Sequence, residues 1–185
     1  DDVLSDNYGV IWIAKKQNGL FKYDEKNENF HQFKYDSKNV KGISSHQINA
    51  LYNDNFDVLW IGTAQGGLNK LDVNQKKFIN YAHNPYDAKS LSGNLINAVI
   101  EDQKGRLWLS AYNAPLFRST TTVNEETINN LKFENLTNKI SLAKNDFVRC
   151  LYEDKKGFIW IGSDFSLLVY NPFTDKIKKI NLKYQ

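Results

Sequence analysis

Trp12, Trp60, Trp108 and Trp160 are the only tryptophans in the chain, and they stand 48, 48 and 52 residues apart. Each sits in a short apolar run, and each is followed eight residues later by a leucine: Leu20, Leu68, Leu116 and Leu168. Ahead of each lies an apolar run ending in an acidic turn, "VLSDNYG", "LYNDNFD", "VIEDQKG" and "LYEDKKG". Behind each comes another short apolar or aromatic run, "NFHQFKY", "KFINYAH", "KFENL" and "KIKKINL". Self-similarity at a fixed period of this length is the signature of a repeat architecture.

The second unit shows what one repeat contains. "INALYN", "VLWIGT", "GLNKLD" and "KFINYA" are short runs rich in β-branched and aromatic residues, bounded by Asn, Asp and Gly. Such runs read as strands. Four strands per repeat of this length predict β-propeller blades. The chain is therefore expected to be all-β: four four-stranded antiparallel blades, near residues 1–40, 41–88, 89–140 and 141–185, forming part of a larger propeller. The tryptophan belongs to the second strand and fills the space between adjacent blades. Asp and Gly in "DNYG", "DQKG" and "DKKG" suit a tight turn, where Asp accepts hydrogen bonds from its own backbone and Gly tolerates positive φ. The second copy has Asp57 at that position.

Bulk properties exclude several classes. Net charge is +3 with scattered lysines, which lacks the clustered basic face of a nucleic-acid binder. No apolar stretch approaches the roughly 18 residues of a membrane span. Cys150 is alone, so no internal disulfide forms. The chain opens within a repeat, from which a longer parent chain is expected. His31, His46 and His83 do not recur at the repeat interval and read as surface or loop residues. No cofactor and no metal site is expected, and no phosphate loop, nucleophile triad or paired carboxylates stand out.

The phrases "INAVIEDQKGRLWLSAYNAPLFR", "LWIGTAQGGLNKLD" and "NPYDAKSLSGNLI" resemble the two-component regulator propeller repeat. That resemblance implies the periplasmic sensor region of a hybrid two-component histidine kinase, with carbohydrate fragments as ligands. The kinase parts themselves are absent, so this segment is not expected to be an enzyme. Three copies depart from the usual "IGTxxGG": "IAKKQNG", "LSAYNAP" and "IGSDFSL".

These departures fall between the second and third strands. In an up-and-down blade, that loop shares a face with the linker to the next blade, and ligands usually meet variable loops on a rigid scaffold. The candidate ligand-binding residues are Gln65, Tyr112, Asn113, Asp164 and Phe165, with Arg149 at the start of its strand available to an acidic sugar. They combine aromatic rings for stacking with planar polar groups for hydroxyls. An oligosaccharide, further blades or another copy of the chain are the expected partners. The competing readings are a propeller-based lyase or glycosidase and a purely structural scaffold. The stretch from Leu116 to Phe133 is longer than its counterparts and mostly polar, and is expected to be an exposed, mobile loop.

Overall fold

A computed structural model describes residues 2–72, 77–112 and 116–180. The chain forms four antiparallel four-stranded sheets, each with its strands in sequence order. The first holds β1 (Asp2–Ser5), β2 (Ile11–Lys15), β3 (Gly19–Asp24) and β4 (Asn29–Phe33). The second holds β5 (Ile48–Asn53), β6 (Leu59–Thr63), β7 (Leu68–Asp72) and β8 (Lys77–Tyr81). β9 (Ile96–Glu101), β10 (Leu107–Ala111), β11 (Phe117–Ser119) and β12 (Phe133–Asn135) form the third. β13 (Val148–Glu153), β14 (Ile159–Ser163), β15 (Leu167–Asn171) and β16 (Lys176–Ile180) form the fourth. A 3-10 turn at Thr137–Lys139 lies in the last linker. Every tryptophan is in the second strand of its sheet. The last two residues of "KIKKINL" and the first residue of the chain lie outside the described residues.

The acidic turn is a clasp that joins strands one and two. Asp6 accepts the backbone N–H groups of Tyr8 and Val10 through Oδ1, and the indole N–H of Trp12 through Oδ2 at 2.9 Å. Asp54, Asp102 and Asp154 do the same for Trp60, Trp108 and Trp160, at 2.7, 2.8 and 2.9 Å. Each indole N–H thus has a charged acceptor, which a buried polar donor requires. The turn closes on a residue with positive φ: Gly9 at 80°, Asp57 at 61°, Gly105 at 73° and Gly157 at 79°. Asp57 fills the glycine position because aspartate tolerates the left-handed region better than most residues.

Cores form between sheets rather than within them. Trp12, Ala14 and Leu20 pack with Ile48, Leu51, Leu59 and Ile61. Trp60 and Leu68 pack with Val99, Leu107, Leu109 and Phe117. Trp108 and Leu116 pack with Leu151, Ile159, Ile161 and Leu168. Each interface therefore joins the tryptophan face of one blade to the aliphatic face of the next. Polar contacts repeat alongside. The Asn55 N–H donates to Glu101 Oε2 at 2.9 Å, and the Gln103 N–H donates to both oxygens of Glu153. Burial pushes the Glu101 and Glu153 carboxyls above the usual range, while these N–H groups pull the other way.

Among the described residues, the two ends of the array lack this partner. Trp12, Trp60 and Trp108 are at most 1% exposed, whereas Trp160 is only partly buried. Tyr152, which pairs with Trp160 across the sheet, is 64% exposed. At the other end, Val3 is also 64% exposed, beside Ile13 and Phe21. β1 neighbours β5, β5 neighbours β9 and β9 neighbours β13, in an arc of four blades.

The long stretch after β11 corrects the expectation of a solvated loop. Thr120, Glu125, Glu126 and Asn130 are exposed, but Val123, Ile128 and Leu131 are buried in the core between blades two and three. The Ile128 N–H closes one turn on the Asn124 carbonyl, and Asn124 Oδ1 accepts the N–H groups of Glu126 and Thr127. The Tyr81 hydroxyl donates to the Ile128 carbonyl, and Lys70 Nζ donates to Asn129 Oδ1 at 2.7 Å. Burial pushes the Tyr81 phenol up to about 12. Three apolar side chains spaced along a polar stretch give it a packed underside, which a composition-based reading misses.

Candidate ligand-binding face

The loops that depart from the repeat are anchored by one recurrent contact. The backbone N–H after the second strand donates to the carbonyl just before the first: Ala64 to Gln47, Tyr112 to Leu95, and Asp164 to Phe147. The first strands of blades two, three and four also carry a bulge near their starts, at Asn49, Asn97 and Arg149. Bulges re-aim side chains. Asn49 donates to the Ile96 carbonyl of the next blade, and Asn97 donates to that of Val148. Arg149, in the end blade, folds back on its own loop instead.

There the guanidinium meets Asp164 in a bidentate pair, Nε to Oδ1 at 2.7 Å and Nη2 to Oδ2 at 2.9 Å. This pair holds the Asp164 carboxyl below the usual carboxylate range and raises the Arg149 pKa. The Arg149 guanidinium carbon lies 5.5 Å from the centre of the Phe147 ring. Tyr112, from blade three, stacks on that ring at 4.4 Å with an interplanar angle of 17°. Two parallel rings and a fork-shaped cation paired with a carboxylate thus share one edge of the blade-three/blade-four junction. Tyr112 is 46% exposed, and the Arg149 side chain is 53% exposed.

Of the residues named from sequence, Tyr112, Arg149 and Asp164 come together. Phe165 follows Asp164 at the loop tip, with its ring 74% exposed. Its N–H donates to Asp146 Oδ1 at 3.0 Å, and the Ser166 hydroxyl donates to Asp146 Oδ2 at 2.8 Å. Burial works to raise the Asp146 pKa, but the hydrogen bonds from Ser163, Ser166 and the Phe165 N–H bring it below the ordinary value. Gln65 is exposed on the β6–β7 loop of blade two, outside this cluster. Asn113 lies outside the described residues. Sequence reasoning missed Phe147 and Asp146. The available signal was an aromatic at the position held by Gln47 and Leu95 in the preceding blades.

The cluster can offer a stacking surface to a flat apolar ring face, and charged hydrogen-bonding groups to hydroxyls or a carboxylate. The carboxyls raised by burial, Glu101 and Glu153, lie at the other ends of their strands and hold the acidic turns of neighbouring blades. Among the described residues no group of three His, Cys, Asp or Glu side chains could hold a metal ion.

Stacked four-stranded sheets of this kind define a β-propeller array. Three of its blades carry the two-component regulator propeller repeat, matched at residues 42–65, 90–113 and 141–165. The fold is similar to that of the extracellular domain of BT4673 from B. thetaiotaomicron, a one-component or hybrid two-component system. The TM-score is 0.76 with 21% identity over 100% of this chain and 24% of that one. It is also similar to the extracellular domain of the hybrid two-component system BT3049 from B. thetaiotaomicron, with a TM-score of 0.65, 22% identity, and 95% and 29% coverage. Virginiamycin B lyase from Staphylococcus aureus shares the fold at a TM-score of 0.68 and 10% identity, over 99% of this chain and 55% of the enzyme. The chain thus spans about a quarter of the length of the BT4673 domain. No curated protein matches it.

Proposed function

We propose that this chain is a ligand-sensing propeller segment from the extracytoplasmic, periplasmic part of a hybrid two-component receptor. Its variable-loop face contacts a carbohydrate fragment, and further blades cover its open end faces. The observation that carries the reading is the Tyr112–Phe147 stack bracketed by the Arg149–Asp164 pair. These groups stand where the chain departs from its own repeat, so blade packing does not demand them. The repeat family and the likeness to receptor extracellular domains support the class. A binding role without catalysis is favoured over a lyase or glycosidase because Glu101 and Glu153 serve as acceptors between blades, away from this face.

The test is calorimetric titration with a panel of neutral and uronate-containing oligosaccharides. Replacing Tyr112, Arg149 and Asp164 together by alanine is expected to weaken binding at least about tenfold, a loss of roughly 1.4 kcal/mol. The melting temperature is expected to stay nearly unchanged, because these side chains are exposed. Unchanged affinity in the folded triple variant, or a wild-type chain that binds none of the panel, would remove this face as the carbohydrate site.

A further inference from the structure

The three grooves over the inter-blade tryptophans share one plan. Opposite each tryptophan on the third strand stands a cation: Lys22 beside Trp12, Lys70 beside Trp60, and Arg118 beside Trp108. The chain fills two of these grooves from the following blade. Between blades two and three, the filling is the buried run of Val123, Ile128 and Leu131. Between blades three and four, it is Tyr170, whose ring lies 4.8 Å from Trp108 and whose hydroxyl bonds Arg118 at 2.9 Å. Arg118 also pairs with Glu134, on the neighbouring strand.

The groove between blades one and two lacks both parts of that arrangement. Leu71 occupies the strand position that Tyr170 holds in blade four, opposite Leu59 and Ile159 respectively. His31 occupies the position of Glu134, opposite Lys22 as Glu134 is opposite Arg118. A phenol ring and a carboxylate are therefore replaced by a smaller aliphatic group and an imidazole. A cleft of about 830 Å³ lies here, lined by Lys22, His31, Phe33 and Leu71 with the buried Trp12 behind them, and by Asp24, Glu25 and Lys26, whose charges partly offset one another, where β3 turns into β4. Lys22 Nζ sits 5.6 Å from the Trp12 ring centre, so the cation is held at the wall of the cleft.

We propose that this cleft is a second binding site, taking a small aromatic carboxylate. The ring would occupy the space that Tyr170 fills in the third groove, against Leu71 and Phe33. The carboxylate would meet Lys22 and His31, as Glu134 meets Arg118. Cation and anion then pair beside low-dielectric walls, where such contacts are stronger than in bulk water. The site lies on the acidic-turn side of the array, and is independent of the variable-loop face.

The chain itself supplies the decisive variant. The double substitution Leu71→Tyr with His31→Glu rebuilds the third groove in the first. Wild-type protein titrated with 4-hydroxybenzoate, followed by NMR at the Trp12 indole, is expected to bind with a Kd on the order of 1 mM. The uncharged 4-hydroxybenzyl alcohol should bind at least about tenfold more weakly. The double variant is expected to melt at a higher temperature than wild type and to lose the binding. Leu71→Ala, which enlarges the cleft and lowers the melting temperature because Leu71 is 2% exposed in the core between blades one and two, should keep it in the folded protein. Absence of binding to the folded wild type, equal binding of the alcohol, or unchanged binding in the double variant would each overturn the proposal. Oligosaccharide binding at Tyr112 and Arg149 should be unaffected throughout, so the two sites fail or stand separately.

Discussion

Replacing Asp54 by alanine is expected to destabilise the chain by roughly 2–4 kcal/mol. Asp54 is 2% exposed and holds three donors: the indole N–H of Trp60 and the N–H groups of Phe56 and Val58. Its loss leaves the Trp60 donor buried without an acceptor, the costly half of a broken hydrogen bond. For a chain of this size the melting temperature should fall by roughly 5–15 °C. The same change at Asp154 should cost clearly less, because Trp160 is partly exposed and water can take over as acceptor. Thermal unfolding of both variants, followed by tryptophan fluorescence, checks the order. Equal losses at the two sites would mean that the clasp does not depend on burial between blades.

The second large effect concerns the stretch after β11. Ile128 and Leu131 are 8% and 4% exposed, in the same core as Trp60, Tyr81 and Phe133. Leu or Ile to Ala in a core costs about 2–5 kcal/mol. The two share one cluster, so their effects will not add fully. The double alanine variant is expected to lose roughly 4–6 kcal/mol, a large fraction of the stability of a typical domain. Glu125→Ala, on the exposed side of the same stretch, should change stability by less than about 0.5 kcal/mol. Denaturant unfolding of the three proteins decides the matter. A double variant as stable as wild type would return this stretch to the status of a solvated loop.

Much of the architecture was readable because a packing constraint repeats four times. Trp12, Trp60, Trp108 and Trp160 each need the same second-strand register, and the turn before each needs an acceptor and a residue tolerant of positive φ. The periodicity exposes both demands. What it hid were features that break it. Ile128 and Leu131 stand at a helical spacing of three, but with Val123 they are too few among polar residues to show more than a single turn, yet they fill a groove that the repeat leaves open. Phe147 precedes its strand and looks like any linker residue until Tyr112, 35 positions earlier in the chain, stacks on it. Arg149 was noticed as a strand start. Its pairing with Asp164 depends on a bulge and on the lack of a neighbouring blade, and neither is legible in a linear pattern. Asn113 lies outside the described residues, and Gln65 stands apart on blade two.

The most direct measurement is sedimentation velocity over about a hundredfold range of protein concentration, because it asks whether the end faces of the arc need partners. Extended exposed apolar faces rarely stay bare. The Trp160 face of one copy matches the faces that Val99, Leu107, Leu109 and Phe117 offer inside the array, and Val3, Ile11, Ile13 and Phe21 stand at the same positions in blade one. Association that grows with concentration is expected for the wild type. It should be lost on Tyr152→Lys, which places a charge beside Trp160 on the open face, at the position where the preceding blades hold Leu4, Tyr52 and Ile100. A wild type that sediments as a single monomer at every concentration would contradict an arc with two unfilled faces.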